Sequence, residues 1–274
     1  MDKLQGIHQG LNRAYQAGET VLRGQGSALD AVCAAVEVLE DDPLFNAGRG
    51  AALTADGTVE HDAAVMSGDG RGGAVTLSRH AQHPVDLARA IRDRSPHVLL
   101  ADPPDDIVAD WGIGLADNDW FVTPDQREHL AAVQARLRSR QHGTVGAVAL
   151  DIHGHVAAAT STGGIENQAV GRIGDTPILG AGTWARDGVV AVSCTGVGEA
   201  FLQGGVAHQL SARMEYGGQD VAEAAQAIID NEIVAREAFG ALIAVTAKGR
   251  SVLVWDAPVL QAAWREGDKI HTRI

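Results

Sequence analysis

A threonine that directly follows a glycine, at the start of an apolar and β-branched run, could act as a nucleophile in this chain. Residues 143–152 read Gly-Thr-Val-Gly-Ala-Val-Ala-Leu-Asp-Ile, after a polar segment whose spacing predicts a helix over 127–140. If the chain is cut between Gly143 and Thr144, the α-amine of Thr144 becomes free beside its own hydroxyl. The ordinary pKa of such an amine is roughly 7.7–8.0, so it can act as the base that activates the hydroxyl.

Polar residues in glycine-rich turns follow this threonine at three further places. Residues 161–164 read Ser-Thr-Gly-Gly, 171–175 read Gly-Arg-Ile-Gly-Asp, and 194–199 read Cys-Thr-Gly-Val-Gly-Glu. The second segment can present an arginine fork to a carboxylate and an aspartate to an ammonium group. The third can present a hydroxyl and a backbone N–H to an oxyanion. Taken singly, each segment also fits an ordinary strand, turn or surface salt bridge.

In order and spacing, these four segments together resemble the plant-type asparaginases, also called isoaspartyl peptidases, of the N-terminal-nucleophile hydrolases. The resemblance covers nearly the whole chain. It implies an α+β fold, the four-layer αββα sandwich of that class. It also implies a single domain over 1–274, formed from an α segment of residues 1–143 and a β segment of residues 144–274 after self-cleavage. Relatives suggest a homodimer of such cleaved pairs.

The resemblance also assigns roles to single residues. The implied catalytic residues are Thr144 as nucleophile, Thr162 to orient it, and Thr195 with Gly196 as the oxyanion hole. The implied substrate-binding residues are Arg172 for the α-carboxylate, Asp175 for the α-ammonium, Gly198 and Asn46. Such a site would cleave the side-chain amide of L-asparagine or of a β-aspartyl dipeptide, and would exclude ordinary α-peptides.

A structural sodium ion is implied by resemblance alone, because carbonyl ligands leave almost no sequence signature. The predicted ligands are the backbone carbonyls of Leu39, Glu40, Asp42, Phe45, Ala47 and Arg49. No cofactor is expected for catalysis, since the Gly-x-Gly pairs at 48–50 and 196–198 lack the third glycine of a dinucleotide site. The histidine pairs His80/His83 and His153/His155 have no convincing metal-ligand spacing and are interpreted as surface residues.

Composition and net charge limit the classes of binding partner and the cellular compartment that can be expected. The net charge of −13 argues against nucleic acid or an anionic membrane as a partner, so a small-molecule substrate is expected. The chain has neither an apolar signal region nor a membrane-length apolar run, which favours a cytoplasmic protein. Cys33 and Cys194 are predicted to be buried small hydrophobes rather than a disulfide.

Periodicity predicts the elements that position these residues. Helices are expected over 4–22, from 27 to about 40, from 84 to about 94, from 199 to about 216, and over 221–235. Strands are expected over 51–54 and 59–65 around a turn at Asp56-Gly57, over 73–77, in a hairpin over 145–161, over 189–194, and in a last hairpin over 242–255. Residues 102–125 are acidic and predicted to be irregular.

Two departures from the family leave alternatives open. Family members usually begin with a strand that ends in His-Gly-Gly-Ala-Gly, and nothing like it precedes Met1; relatives also often carry a longer linker before the nucleophile. We therefore expect an unpaired neighbouring strand, slow or incomplete self-cleavage, and a true start upstream. The alternatives to an asparaginase are an aspartylglucosaminidase-like amidase, and a non-catalytic relative that acts as a binding or assembly protein.

Overall fold

A computed structural model describes residues 3–136, 143–257, 259–267 and 269–274. Three helices pack on the first sheet of the fold: α1 (Lys3–Arg23), α2 (Ala28–Glu40) and α3 (Pro84–Arg94). A capping box opens α2, in which the hydroxyl of Ser27 accepts from the backbone N–H of Asp30 and the Asp30 carboxylate accepts from the backbone N–H of Ser27. All three helices were predicted from their apolar spacing.

A five-stranded sheet lies beneath these helices, with its strands in the order β3-β2-β1-β5-β4. Its members are β1 (His61–Ser67), β2 (Gly72–Ser78), β3 (Leu99–Ala101), β4 (Val145–Leu150) and β5 (Val156–Thr162). The predicted hairpin around Gly154 is β4 and β5, in which Val145 pairs with Ser161. Residue 144 therefore lies directly before an edge strand, beside the end of β5.

A four-stranded sheet in the order β6-β7-β8-β9 forms the second half of the molecule. Its strands are β6 (Thr183–Arg186), β7 (Val190–Gly196), β8 (Gly240–Thr246) and β9 (Ser251–Asp256). The helices α7 (Gly198–Gly204), α8 (Val206–Glu215) and α9 (Val221–Ile228) belong to this half. A separate ribbon of β10 (Ala262–Glu266) and β11 (Lys269–Arg273) packs on α1.

Three apolar clusters join these layers. The first lies between helices α1–α3 and the five-stranded sheet and includes Cys33. The second lies between the four-stranded sheet and α7–α9 and includes Cys194. A third, smaller cluster of residues from both sheets, with Val156 and Ala191 at its centre, packs the sheets against each other. The prediction of a mixed α and β fold is confirmed, as is the burial of both cysteines.

Several predicted elements are wrong in extent or kind. Residues 51–54 form no strand, because the N–H of Ala51 donates to the Gly48 carbonyl and that of Ala52 to the Asn46 side chain. The helix expected over 199–216 is two helices, since Gly205 lies between them at φ +55°. The α-helical part of 221–235 ends at Ile228 and continues as a π-turn and a 3₁₀ turn.

The middle of the chain also differs from prediction. The acidic stretch 102–125 contains the short helices α4 (Asp105–Asp110) and α5 (Asn118–Phe121). The helix expected over 127–140 is α6 (Pro124–Gln134), which begins earlier because Thr123 caps it by accepting from the Gln126 N–H. Residues 135 and 136 form a turn, and the rest of that prediction, 137–140, lies outside the described residues.

The short or charged strands β3, β6, β10 and β11 were not predicted. Of the four histidines in the two pairs considered as metal ligands, His80, His153 and His155 are exposed as expected. His83 is not a surface residue, since it is half-buried with Nδ1 3.3 Å from Oε2 of the buried Glu40. Within the part of the chain that the structure describes, no helix is both long and apolar enough to cross a membrane.

Candidate active site

The carbonyl of Gly143, directly before Thr144, is the acceptor of two side-chain hydrogen bonds. It accepts one hydrogen bond from Nδ2 of Asn46 at 2.7 Å and a second from the hydroxyl of Thr162 at 2.8 Å. Two donors aimed at one carbonyl oxygen stabilise the negative charge that forms there when its carbon is attacked. The attacking atom nearest in sequence is Oγ1 of Thr144, the next residue.

Asn46 is held in place by its own backbone and side chain. Its Nδ2 also donates to the Gly164 carbonyl at 2.8 Å, and its Oδ1 accepts from the Ala52 N–H at 2.6 Å. The Asn46 carbonyl accepts from the N–H of Gly163 at 3.1 Å. These contacts fasten the loop after α2 to the turn after β5, so that the amide faces the carbonyl of Gly143.

Thr162 occupies the end of β5 and is 4% exposed. Its hydroxyl accepts from the Gly164 N–H at 3.0 Å while it donates to the Gly143 carbonyl. The Thr144 hydroxyl lies 3.5 Å from that of Thr162, a long contact for two oxygens. The structure thus brings the predicted nucleophile, Thr162 and Asn46 together around one peptide bond.

Thr195 and Gly196 lie at the end of β7, on the facing sheet. One layer below, the hydroxyls of Thr160 on β5 and Ser193 on β7 are 2.8 Å apart. Because side chains two residues apart share a strand face, Thr162 and Thr195 continue these two faces toward the same end of the molecule. Gly196 has φ +143° and packs against the backbone of Gly240. A Cβ at position 196 would lie 2.5 Å from the Cα of Gly240.

Arg172 extends from the turn after residue 170 with its side chain 15% exposed. Its Nε and Nη2 donate to the two carboxylate oxygens of Glu199 at 2.9 and 3.1 Å, and its Nη1 donates to Oε1 of Gln168 at 3.3 Å. Gly198 adjoins this group, since a Cβ there would lie 3.0 Å from Nη2 of Arg172 and 2.8 Å from Oδ1 of Asp175. Arg172, Asp175 and Gly198 therefore form one cluster.

Asp175 is 4% exposed, and its Oδ2 has no hydrogen-bond partner among the described residues. Burial raises the pKa of this carboxyl to about 7, although the nearby Arg172 guanidinium acts in the opposite direction. A buried carboxylate without a partner is costly, so this oxygen is suited to receive a cationic group from a ligand. An α-ammonium group has the required charge and donors.

Two buried carboxylates that sequence reasoning missed hold the turn that carries Arg172. Oε2 of Glu60 accepts from the N–H of Gly171 at 2.7 Å, and Oδ2 of Asp62 accepts from that of Gly174 at 3.1 Å. Glu60 is 3% exposed and also pairs with Arg79 at 2.5 Å. Both carboxylates belong to the N-terminal part of the chain, more than a hundred residues away in sequence, and no local motif points to them.

The predicted sodium loop folds back on the end of α2. Gly48 has φ +53° and Gly50 has φ +93°; Cβ atoms at these two positions would lie 2.3 Å from the Glu40 carbonyl oxygen and 2.5 Å from that of Pro43. These carbonyls therefore point into the loop. One of them, that of Glu40, accepts from the Arg49 N–H at 2.7 Å and keeps a second lone pair. Carbonyl oxygens are suitable donors for a hard cation.

Glu166 lies in the turn between Thr162 and Arg172 and has no role in the arrangement above. It is 1% exposed, and neither carboxylate oxygen has a partner with good hydrogen-bond geometry in the described structure. Burial raises its pKa to about 7, although the nearby backbone N–H of Leu53 acts in the opposite direction. Since the folded-state pKa exceeds the ordinary value, its contribution to stability is present at acidic pH and is lost as the pH rises toward and through 7.

We expect Glu166→Gln to raise the free energy of unfolding by about 2 kcal/mol at pH 8 and by little at pH 4.5. The change removes a buried unpaired charge but keeps the shape of the side chain. Urea denaturation at both pH values, in an uncut Thr144→Ala background, measures it. Glu223→Gln, at an exposed position on α9, is the control. A gain that is equal at the two pH values would contradict the explanation.

Over nearly its whole length the chain is similar to known asparaginases and isoaspartyl peptidases. A family model described as Asparaginase matches residues 1–274. The isoaspartyl peptidase of Salmonella typhimurium is 41% identical over 270 residues, which cover 93% of this chain and 86% of the relative. The isoaspartyl peptidase/L-asparaginase of Homo sapiens is 39% identical over 278 residues, 98% of this chain and 90% of the relative.

A plant protein belongs to the same group of relatives. The probable isoaspartyl peptidase/L-asparaginase 2 of Arabidopsis thaliana is 39% identical over 274 residues, covering 88% of this chain and 83% of the relative. The chain belongs to the asparaginase family. The predicted membership of the plant-type asparaginases, or isoaspartyl peptidases, is thereby confirmed, whereas the roles of single residues stay predictions.

Proposed function

We propose that this protein is an amidohydrolase that cleaves the side-chain amide of L-asparagine and of β-aspartyl dipeptides, with Thr144 as its nucleophile. The observation that carries the proposal is the carbonyl directly before Thr144, which accepts from both Asn46 and Thr162. The names of the relatives state both activities, isoaspartyl peptidase and L-asparaginase.

Self-cleavage would come first. The Thr144 hydroxyl attacks the carbonyl carbon of Gly143, and Asn46 and Thr162 stabilise the oxyanion at their hydrogen-bonded positions. The C–N bond breaks, its nitrogen takes a proton and becomes the free amine of Thr144, and an ester to the hydroxyl remains. Water hydrolyses that ester, which leaves the Gly143 carboxylate and a threonine with both its amine and its hydroxyl.

Substrate hydrolysis would reuse the same hydroxyl. The α-amine of Thr144 takes the hydroxyl proton as the oxygen attacks the side-chain amide carbon, and Thr195 with the Gly196 N–H stabilises the oxyanion. The amine then gives the proton to the departing ammonia or amino acid. Water hydrolyses the resulting β-aspartyl ester and releases aspartate. Arg172 and Asp175 hold the α-carboxylate and α-ammonium throughout.

The finer architecture is part of the same proposal. We interpret the two sheets and their flanking helices as the four-layer αββα sandwich, with 1–143 and 144–274 as two segments of one domain and a dimer of cleaved pairs. Contacts across the cleavage point, from Asn46 to Gly164, from Glu60 to Gly171 and from Asp62 to Gly174, support continued association of the segments. Among the described strands, β4 lies at the edge of its sheet, and an edge position beside the cleavage point supports slow maturation.

We also propose that the loop over 39–49 binds sodium through the backbone carbonyls predicted from the sequence, those of Leu39, Glu40, Asp42, Phe45, Ala47 and Arg49. The ion would supply rigidity to the loop that carries Asn46.

We expect a higher midpoint of thermal unfolding in sodium chloride than in tetramethylammonium chloride of equal ionic strength. A Gly48→Ala variant should lose this difference, because its Cβ would collide with the Glu40 carbonyl. Equal midpoints for the unaltered protein in the two salts would contradict sodium binding.

Intact-mass measurement over time, followed by an ammonia-release assay on asparagine and a coupled assay on β-aspartyl-leucine, tests the main proposal. We expect fragments that end at Gly143 and begin at Thr144, with hydrolysis appearing as they form. An uncut and inactive chain would favour a binding or assembly protein. Cleavage with activity confined to glycosylated asparagine would favour the aspartylglucosaminidase-like alternative.

The binding of L-aspartate, the product, should tighten by up to about ten-fold between pH 6 and pH 8. Asp175 has a pKa of about 7 and must be ionised to pair with the ligand's α-ammonium, so a higher pH increases the competent fraction. Inhibition constants across this range measure the effect. Succinate, which lacks the ammonium group, should show no such gain. A parallel gain for both ligands would assign the titration to another group.

A further inference from the structure

Arg172 is held by one edge of its guanidinium. Glu199 accepts from Nε and Nη2 through its two carboxylate oxygens at 2.9 and 3.1 Å. This is the side-on edge of the planar group, and the pairing fixes both the position and the plane of the guanidinium. Gln168 adds one contact to Nη1 at 3.3 Å.

The opposite end of the guanidinium is bordered by residues without side chains. A Cβ at Gly174 would lie 3.3 Å from Nη1, and one at Gly198 would lie 3.0 Å from Nη2. An arginine has five N–H groups. Among the described residues, Glu199 and Gln168 accept hydrogen bonds from three of them, so one N–H on Nη1 and one on Nη2 remain. The end formed by these two nitrogens therefore keeps donors for a carboxylate, and no side chain of Gly174 or Gly198 blocks its approach.

The pair between Arg172 and Glu199 differs from an ordinary surface ion pair. The arginine side chain is 15% exposed, whereas that of Glu199 is 52% exposed. An arginine has several rotatable bonds, and a contact to Gln168 alone would leave its plane free to turn. Glu199 already orders the side chain before any ligand arrives, and such preorganisation favours binding.

We propose that Glu199 is a positioning residue that clamps Arg172 side-on and so directs the Nη1–Nη2 end toward the ligand's α-carboxylate. The inference rests on the proposed function, because it presumes that this site grips an amino-acid head group. Glu199 acts through Arg172 and does not touch the ligand. It should therefore matter only for ligands that carry an α-carboxylate.

Two ligands that differ only in that group provide the test. L-Aspartate carries the α-carboxylate, and β-alanine is the same molecule without it. Glu199→Ala should weaken inhibition by L-aspartate about ten- to hundred-fold, the loss expected for a misplaced binding group. Inhibition by β-alanine should change by less than about three-fold. Glu199→Gln, which keeps one acceptor oxygen for the guanidinium, should fall between Glu199→Ala and the unaltered protein.

Two further variants serve as controls. Arg172→Ala shows the full loss of the carboxylate grip, and Glu215→Ala removes a comparable pair with Arg186, 2.7 Å, away from the site. Self-cleavage of each variant at the rate of the unaltered protein reports that it is folded, since the groups around Gly143 are unchanged. Unchanged or tighter aspartate binding in Glu199→Ala would overturn the proposal, and so would an equal loss for both ligands. Failure of the proposed function is separate, because the unaltered protein would then hydrolyse neither substrate.

Discussion

Replacing Thr144 with alanine should give an uncut chain of 274 residues that releases no ammonia from asparagine. The variant keeps Asn46 and Thr162 on the Gly143 carbonyl, but no hydroxyl is present to attack that carbonyl or a substrate. Intact mass and an ammonia assay on the same sample measure both losses. Because a nucleophile is removed, the activity should fall to background rather than by a modest factor.

The serine variant separates chemistry from folding. Thr144→Ser keeps a hydroxyl and should therefore cut itself slowly and retain weak hydrolysis. Thr20→Ala is a matched control, since it removes an exposed threonine hydroxyl that only donates to the Gln16 carbonyl on α1. That control should mature and turn over like the unaltered protein. A Thr144→Ala chain that still splits after Gly143 and still hydrolyses asparagine would end the hypothesis.

Arg172→Lys should lower kcat/KM although the positive charge is kept. The loss should correspond to roughly 2–4 kcal/mol of transition-state stabilisation. The guanidinium bonds to Glu199 with two nitrogens and to Gln168 with the third, and a single ammonium cannot reproduce this arrangement and also hold a carboxylate at two points. Steady-state kinetics on asparagine measures the loss. Self-cleavage should proceed at its normal rate, because Arg172 has no contact with the Gly143 carbonyl.

Arg186→Lys is the matched control for this variant. Arg186 forms a partly exposed ion pair with Glu215, 2.7 Å long, so the same substitution there should change kcat/KM by less than about two-fold. If Arg172→Lys had the kinetics of the unaltered protein, Arg172 would belong to the surface rather than to the substrate site. A loss of self-cleavage in the same variant would point to misfolding instead.

The candidate residues could be named from the sequence because they lie in short segments whose order and spacing together resemble the family's pattern, although each segment alone is ambiguous. Thr144, Thr162 and Thr195 stand at strand ends beside glycines, where alternation along a strand and the need for a turn are visible in the sequence. The first three helices were predictable for a similar reason, since apolar spacing and the Ser27 capping box are local signals.

Only the tertiary structure decided which distant groups meet these residues. The Asn46 side chain and the Gly143 carbonyl are 97 residues apart in sequence, and Glu60 and Asp62 reach the Arg172 turn over still longer separations. Such contacts depend on which strands become neighbours. The same cause explains why no strand forms over 51–54, since the N–H groups of Ala51 and Ala52 donate to the loop around Asn46 instead of to a sheet. Local pattern sets what a segment can form, and long-range pairing determines which hydrogen bonds it makes.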